Sequence, residues 1–450
     1  MKNILLFTLG ITGLLYQFYA FPGAQYLLPA LAVLTIIWFL PSLSIIPRIS
    51  SIVMLAAGNI IFFVEDSLHY SIWSYGFLKS LPIVTLFLFV PLLQIPIELG
   101  GYTKYTERFA RSKLSSPGRF YWVTAGIFFL LAPVLNLSIY RIYYDIMKTV
   151  PLSKKTITLS MQRSFTSVAT WAPYFVGVGL IASYVPFKIL NFLAAAIFIA
   201  FIQLLVCYLL YLWDVRSEEF IIPASPANKD KEATKKMAGL SLWMLLLLVT
   251  IIPLEILLGK KMIVVVAVAA IFQSVIWSLF LGKAKQFVVE LKPYFQQRGA
   301  RVINEAVFFL SAGFFAEILN RSFVGAWIAD HIVYLTQTSS LFFTILLIML
   351  VIPMLAAAGI HHMIPIVAIA STIPAEALGM PVTLYGLMFT ITWGTSALIS
   401  PFSPMNAAVG TTVGLDQFKV GPIWNAKAVL ILIVVMSIVL YGLTKLPLPL

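Results

Sequence analysis

Charge is what this sequence has least of. Only 10% of its 450 residues are charged, and Asp and Glu together number 17. Soluble domains carry roughly a quarter charged residues. With 61% hydrophobic residues and a mean hydropathy of +0.98, the chain has too little polar surface to stand in water, which excludes a soluble enzyme. Cysteine is nearly missing too. Cys207 is the single thiol, so no intrachain disulfide can form. The sequence holds no glycine-rich nucleotide loop, no zinc-spaced Cys/His set and no serine-elbow motif. Neither an enzyme nor a resident cofactor or metal is expected. The net charge of +13 would point to nucleic acid only in a basic domain outside a membrane. No stretch is long enough for one, and the excess is read as the basic bias of cytoplasmic loops.

What remains is apolar sequence in runs of about 20 residues, the length that crosses a hydrocarbon core of about 30 Å. Eleven spans are expected, at 4–20, 26–46, 51–64, 76–99, 156–185, 187–212, 239–258, 262–281, 302–319, 381–415 and 425–445. The first resembles a signal peptide. Leu14 to Phe21 offers no small-residue cleavage site, so it is expected to be retained. Two further apolar stretches, 120–147 and 339–373, do not fit as ordinary spans. Both flanks of 120–147 are basic: Lys104, Arg108, Arg111, Lys113 and Arg119 before it, Lys148, Lys154 and Lys155 after it. A stretch with two cytoplasmic ends must enter and return, so it is expected to be a re-entrant hairpin with Pro133 breaking the helix near its tip. The counterpart 339–373 is expected to open the other way.

With the N-terminus cytoplasmic and the C-terminus extracytoplasmic, Lys79, Lys188, Lys260, Lys261, Arg321 and Lys445 fall outside, Arg141 and Arg163 lie at membrane depth, and the remaining 22 of 30 basic residues fall inside. A multi-pass protein of a bacterial inner membrane is expected. The polar linker 213–238 divides the chain into halves, 1–212 and 239–450. Each half runs span, amphipathic stretch, hairpin, then a long span interrupted by proline, at Thr166-Ser167 to Pro173 and at Thr395-Ser396 to Pro401. The fold class expected is therefore an all-α polytopic membrane protein, with about eleven transmembrane helices and two re-entrant hairpins in two inverted repeats. Paired broken helices are the device by which secondary transporters hold a substrate near the midplane.

Ser403-Pro404-Met405-Asn406-Ala407 in the second interrupted span, and Asn136 at the first hairpin tip, resemble the ion transporter superfamily, and within it the divalent anion–sodium symporters and citrate carriers. The likeness extends in span order from about residue 76 to the end. It implies a substrate held between two hairpin tips, and a transport domain that moves, elevator-fashion, on a homodimeric scaffold. The tips depart from the family's Ser-Asn-Thr. Leu135 and Leu137 flank Asn136, and Gly359-Ile360-His361 stands at the second tip. Proton and sodium are therefore both carried forward as the coupling ion.

Polar groups at membrane depth are the candidates for chemistry. Asn136, Ser138, Arg141, Thr166, Ser167, Thr395, Ser396, Ser403 and Asn406 are expected to bind substrate, with Thr170 and Ser400 beside them. Arg141 could pair with an anion or with Asp145 one turn on. Arg163 could face substrate, although snorkelling to the interface is the favoured reading. His361, His362 and Asp145 are the coupling candidates. Two adjacent histidines supply too few ligands for a metal. Acids are scarce at depth, with Glu98, Asp145, Glu255, Glu305 and Glu317 near span ends or hairpin arms. That scarcity favours a small organic anion, with membrane lipid as the surrounding partner. The competing readings are a sodium/proton antiporter, which needs Asp145 or Glu317 at the midplane, and a lipid-carrier flippase or membrane-embedded enzyme, for which no group is evident to orient the histidine.

Overall fold

Sequences this apolar can satisfy their backbone within a membrane only as helices or closed barrels, and the proline-punctuated runs here choose helices. The computed structural model describes residues 2–65, 67–113, 115–220 and 230–446, and no strand occurs among them beyond an isolated bridge between Leu152 and Phe220. The chain opens with α1 (Lys2–Phe18), α2 (Ala24–Phe39), α3 (Ile45–Val64), α4 (Tyr70–Phe89), the short α5 (Gln94–Leu99) and the amphipathic α6 (Tyr102–Lys113). A hairpin follows, α7 (Pro117–Leu135) and α8 (Ser138–Met147), then an interrupted helix, α9 (Lys154–Trp171) and α10 (Val176–Tyr184), then α11 (Ile189–Asp214). The second half begins with α12 (Lys231–Leu258), α13 (Met262–Phe280), α14 (Ala284–Pro293), α15 (Gly299–Asn320) and α16 (Phe323–Thr338). It repeats the hairpin as α17 (Leu341–Ala357) and α18 (Met363–Thr372), and the interrupted helix as α19 (Val382–Ile399) and α20 (Pro404–Val413), and closes with α21 (Trp424–Leu443). Residues 221–229 of the expected linker lie outside the described residues. On either side of them α11 and α12 run into it.

Eleven helical stretches among the described residues are long and apolar enough to cross a membrane. The set differs from the expected one in two places. The helix over Ile4–Phe18 is short, because Pro22 and Gly23 lie just beyond it. The hairpin arm Pro117–Leu135 is itself of spanning length. Its start is fixed by the Ser116 hydroxyl, which accepts from the Arg119 N–H, and its end by Asn136 at φ 48°. The matching arm α17 starts on the Ser340 hydroxyl, which accepts from the Phe343 N–H, and is followed by Gly359 at φ 103°.

The two interruptions share one local cause. Ala172 precedes Pro173 and Ser400 precedes Pro401. A residue before proline is pushed out of helical geometry. Both are extended, with φ −74° and ψ 113° at Ala172 and φ −69° and ψ 119° at Ser400. Each ends an 18-residue helix, four residues before the next helix starts. The halves also exchange partners: α8 packs on α20, α10 packs on α18, and α9 crosses α19. At that crossing a Cβ on Gly394 would stand 2.9 Å from the Thr166 carbonyl oxygen, so only glycine permits the approach.

Packing separates an interior from a lipid-facing rim. The windows through α4–α5 and α9–α10 are 89% buried, against 22% for α3 and for α12. Phe63 on α3 and Ile256 on α12 are both 79% exposed, an outward apolar surface that water would not tolerate and lipid covers. Two apolar cores result. The smaller joins α1, α2, α4 and α15, and the larger holds both hairpins and both interrupted helices.

Outside the apolar layer, α6 is tied to the start of α12. Arg108 donates to both Asp230 carboxylate oxygens, at 2.7 and 3.1 Å, and to Glu232 at 3.0 Å, while Asp230 also caps α12 by accepting from the Ala233 N–H at 2.9 Å. The capping N–H, and next the Arg108 guanidinium, hold the Asp230 carboxyl below its ordinary range. A depressed carboxyl pKa stabilises the fold above the ordinary carboxylate value, and that contribution is lost as pH falls through the depressed one. Asp230→Asn should therefore lower the thermal midpoint at pH 7 by about 1–2 °C, and the midpoints of variant and wild type should converge in acid. An undiminished gap at pH 3 would show that the ion pair is not its source.

Candidate functional site

The two hairpin turns and the two proline breaks meet around a cavity of about 610 Å³, within the range that buries a small organic molecule. Leu137 and Asn136 reach it from the first turn, His361 and His362 from the second. Phe175 and Val176 line it at the first break, and Pro404 and Met405 at the second. The starts of α8, α10, α18 and α20 thus all border one space. Helix N-termini carry free N–H groups and partial positive charge, and four of them together favour an anion. The remaining wall holds six aromatic rings, Phe87, Phe165, Phe308, Phe309, Trp393 and Phe402, beside the polar Ser44, Asn304, Glu305 and Gln417. No Lys or Arg lines the cavity.

Both histidines face this space. Residues adjacent on a helix diverge by about 100°, which predicts one inward at most. His361 and His362 instead stand in the turn before α18, where that rule does not apply. Their rings stack at 4.6 Å, with Phe308 against His361 at 4.4 Å and Trp393 edge-on to His362 at 4.7 Å. His361 Nδ1 accepts from the Met363 N–H at 3.3 Å, so in the neutral ring Nε2 carries the proton. His362 is 3% exposed and its Nε2 has no partner. Asn136 also lines the cavity, with a backbone of φ 48° and ψ −136° that residues other than glycine seldom adopt.

Glu305 is the lining residue that sequence reasoning underrated. It lies on α15 beside Asn304, whose side-chain oxygen accepts from the Ser44 N–H at 3.0 Å. One Glu305 carboxylate oxygen is buried without a partner. Phe308, one turn further along α15, is the ring that packs on His361, so α15 turns this face towards the second hairpin.

The other expected residues divide into two groups. Ser138, Arg141 and Asp145 are exposed and do not line the cavity. On α8 the residues Ile139, Tyr140, Tyr143, Ile146 and Met147 are buried, which turns Arg141 and Asp145 outward together. Asp145 pairs with Lys148 at 2.7 Å, not with Arg141. The rest support the breaks. Thr166, Ser167 and Thr395 donate back to carbonyls of their own helices, the common local bond of hydroxyls in membrane helices. Thr170 donates to Gln203 at 2.7 Å, and Ser400 donates to the Ala356 carbonyl at 2.6 Å, pinning the second break to the second hairpin. Ser403 caps α20 by accepting from the Asn406 N–H and donates to Ala397 O. Ser396 alone has a buried hydroxyl without a partner.

Asn406 closes the second break. Its amide donates to the carbonyls of Ala397, Leu398 and Ser400 at 3.2, 3.0 and 2.8 Å, and accepts from Gln162 of α9 at 2.6 Å. Gln162 accepts in turn from Asn425 at 3.1 Å. Asn425 accepts from Arg163 at 3.3 Å, and Arg163 pairs with Asp214 at 2.5 Å. Arg163 is fully buried, so it joins this network where snorkelling was the favoured expectation.

With this architecture the chain has the fold of polytopic membrane transporters. The Alcanivorax borkumensis YdaH transporter superposes with a TM-score of 0.57 at 13% identity, over 93% of this chain and 99% of that one. Neisseria gonorrhoeae MtrF, which represents a class of antimetabolite efflux pumps, superposes with a TM-score of 0.50 at 12% identity, over 82% of each chain. At these identities the likeness is one of fold. No protein-family model and no curated protein sequence matches the chain.

Asn406→Ala should destabilise the protein by about 2–4 kcal/mol, because it strips donors from buried carbonyls and an acceptor from Gln162. Ser396→Ala should change stability by less than about 0.5 kcal/mol, since its hydroxyl bonds to nothing. Thermal unfolding in detergent separates the two. Equal effects would sink the assignment of Asn406 as the clamp of the break.

Proposed function

We propose that this protein is a secondary active transporter of a small organic anion, a carboxylate on an apolar, ring-bearing body, coupled to protons. The observation that carries the reading is the meeting of four helix N-termini and two imidazoles on one aromatic-walled cavity. A carboxylate placed between the turns of α7–α8 and α17–α18 would accept from backbone N–H groups, from Asn136 and from the histidines, without a lysine or arginine to hold it too firmly for release. The rest of the molecule would lie against Phe308, Phe309, Phe402 and Trp393, where loss of water stabilises it.

Glu305 supplies the coupling. As a carboxylate it repels an anion in the same cavity. Protonated, it donates a hydrogen bond to that anion. Binding of the proton and of the substrate therefore favour each other, and linkage makes the effect reciprocal. His361 and His362 are the other titratable groups facing the cavity, and as neutral rings they offer it hydrogen-bond donors. The positions of Asp145, paired at the surface, and Glu317, held by Lys79 and Arg321, weigh against the sodium/proton antiporter. The resemblance to divalent anion–sodium symporters and citrate carriers supports the two-tip mode of binding and an elevator movement of the hairpin core over a homodimeric scaffold. The departures at both tips favour the proton over sodium. The reading includes residence in a bacterial inner membrane with the N-terminus cytoplasmic.

Proteoliposomes loaded with a panel of aromatic and aliphatic carboxylates test this directly. An acid gradient should drive flux of at least one aromatic carboxylate, and sodium should add nothing. In Glu305→Gln the substrate should still bind, but flux should lose its response to the acid gradient. His362→Ala should raise the half-saturating concentration by about tenfold. Full acid-driven flux in Glu305→Gln would overturn the coupling assignment, and sodium-dependent flux would replace the proton.

A further inference from the structure

A second, smaller cavity of about 180 Å³ lies at the other end of α10. Val176 at the start of α10 borders the large cavity, whereas Ser183 near its end borders this one. Seven residues of helix separate them by about 10 Å. Six of its nine lining residues are polar: Tyr16 and Gln17 from the end of α1, Tyr75 and Lys79 from α4, Ser183, and Lys261 at the start of α13.

Charge here is unbalanced. Glu317 is the one acid engaged, and both its oxygens are taken, one by Lys79 at 2.9 Å and the other by Arg321 at 2.6 Å. Lys261 forms no ion pair among the described residues, and Lys260 lies over the Phe18 ring at 5.7 Å from its centroid. One carboxylate thus faces Lys79, Arg321 and Lys261. Partial burial, and next the Lys79 ammonium, hold the Lys261 ammonium below its ordinary range, with Glu317 opposing them. Lys261 is also the N-cap of α13, so the partial positive charge of that helix end adds to its own.

We propose that this cavity is an oxyanion site, in which Lys261 and Lys79 hold a phosphate or carboxylate group and the Tyr16 and Tyr75 hydroxyls and the Gln17 amide complete its hydrogen bonds. The ammonium surplus supplies the attraction, and the hydroxyls and amide supply further donors. The same chemistry serves a free anion from solution or the phosphate of a lipid headgroup, since Lys260 and Lys261 stand at the end of the apolar layer. The site stands on its own residues and does not depend on the reading of the larger cavity.

The test uses the full-length protein purified in detergent, with inorganic phosphate titrated at constant ionic strength and the thermal midpoint as readout. A saturable rise in midpoint is expected. Lys261→Gln should raise the half-saturating phosphate concentration by about three- to tenfold, while Lys188→Gln, a nearby surface charge, leaves it unchanged. Tyr75→Phe, which keeps the ring, gives a second variant if Lys261→Gln does not fold. Glu305→Gln should keep the phosphate response, which separates this site from the transport cavity. If phosphate has no effect, nanodiscs of phosphatidylglycerol and of phosphatidylcholine are compared. Stabilisation by the anionic lipid that is lost in Lys261→Gln supports the site with a headgroup as its occupant. Responses equal in wild type and Lys261→Gln, or none in either arm, overturn it.

Discussion

A helix broken inside a membrane leaves backbone carbonyls with no water to turn to, and the rest of this architecture depends on how they are satisfied. Each such group costs several kcal/mol in hydrocarbon if it is left alone. At the second break one side chain meets most of the cost, with Ser403 sharing the Ala397 carbonyl. Asn406 gathers three carbonyls within hydrogen-bond distance and is itself held by Gln162 from the opposite half of the chain. Gly421 leaves the room for it, since a Cβ there would lie 2.7 Å from the Asn406 amide nitrogen. Through Gln162, Asn425 and Arg163 the clamp is tied to Asp214 at the end of α11. A buried guanidinium is tolerable only when paired, and the pair anchors a chain of hydrogen bonds that fixes where the break sits.

The same breaks create the positive ends that face the cavity. No Lys or Arg lines the cavity, Arg163 being buried in the clamp with Asp214, and the positive field there comes from helix N-termini. This arrangement suits a carrier. A fixed ammonium would bind an anion firmly and would need its own counter-charge when the site emptied. Partial charges from N–H groups attract less strongly and require no counter-ion. The two carboxylates on α15 show the contrast: Glu317 is neutralised by Lys79 and Arg321, whereas Glu305 keeps a bare oxygen beside the cavity.

The fold was legible in the sequence because its causes are local. Ala172-Pro173 and Ser400-Pro401 force the breaks, and the basic flanks of 120–147 mark the hairpin. The site was legible in part. Asn136, His361 and His362 were found as the polar residues at the two turns, and all three line the cavity. Arg141, expected at membrane depth, and Asp145, one turn on, face outward, as the period of Ile139, Tyr143 and Ile146 on α8 requires. Glu305 could not be singled out, because what distinguishes it is the missing partner and not its residue type. The Gln162–Asn406 and Arg163–Asn425 bonds join residues 244 and 262 apart in sequence, and no local pattern announces such a pair.

The two halves share a backbone plan but not its chemistry. The position that matches Asn406 in the first half is Val178, which can donate nothing. The first break carries Trp171, Tyr174 and Phe175, all buried, and the indole N–H of Trp171 has no partner. The second break is thus closed by side-chain donors to its own freed carbonyls, whereas at the first the side-chain bonds lead outward, from Thr170 to Gln203 and from the Tyr174 hydroxyl to the Leu247 carbonyl. Close-packed rings hold an interior in place as hydrogen bonds do, but among the described residues only the second break has side chains that answer its freed carbonyls. The difference lies in the residues at matched positions, Asn406 against Val178, and not in the backbone, which leaves helical geometry before a proline at both breaks.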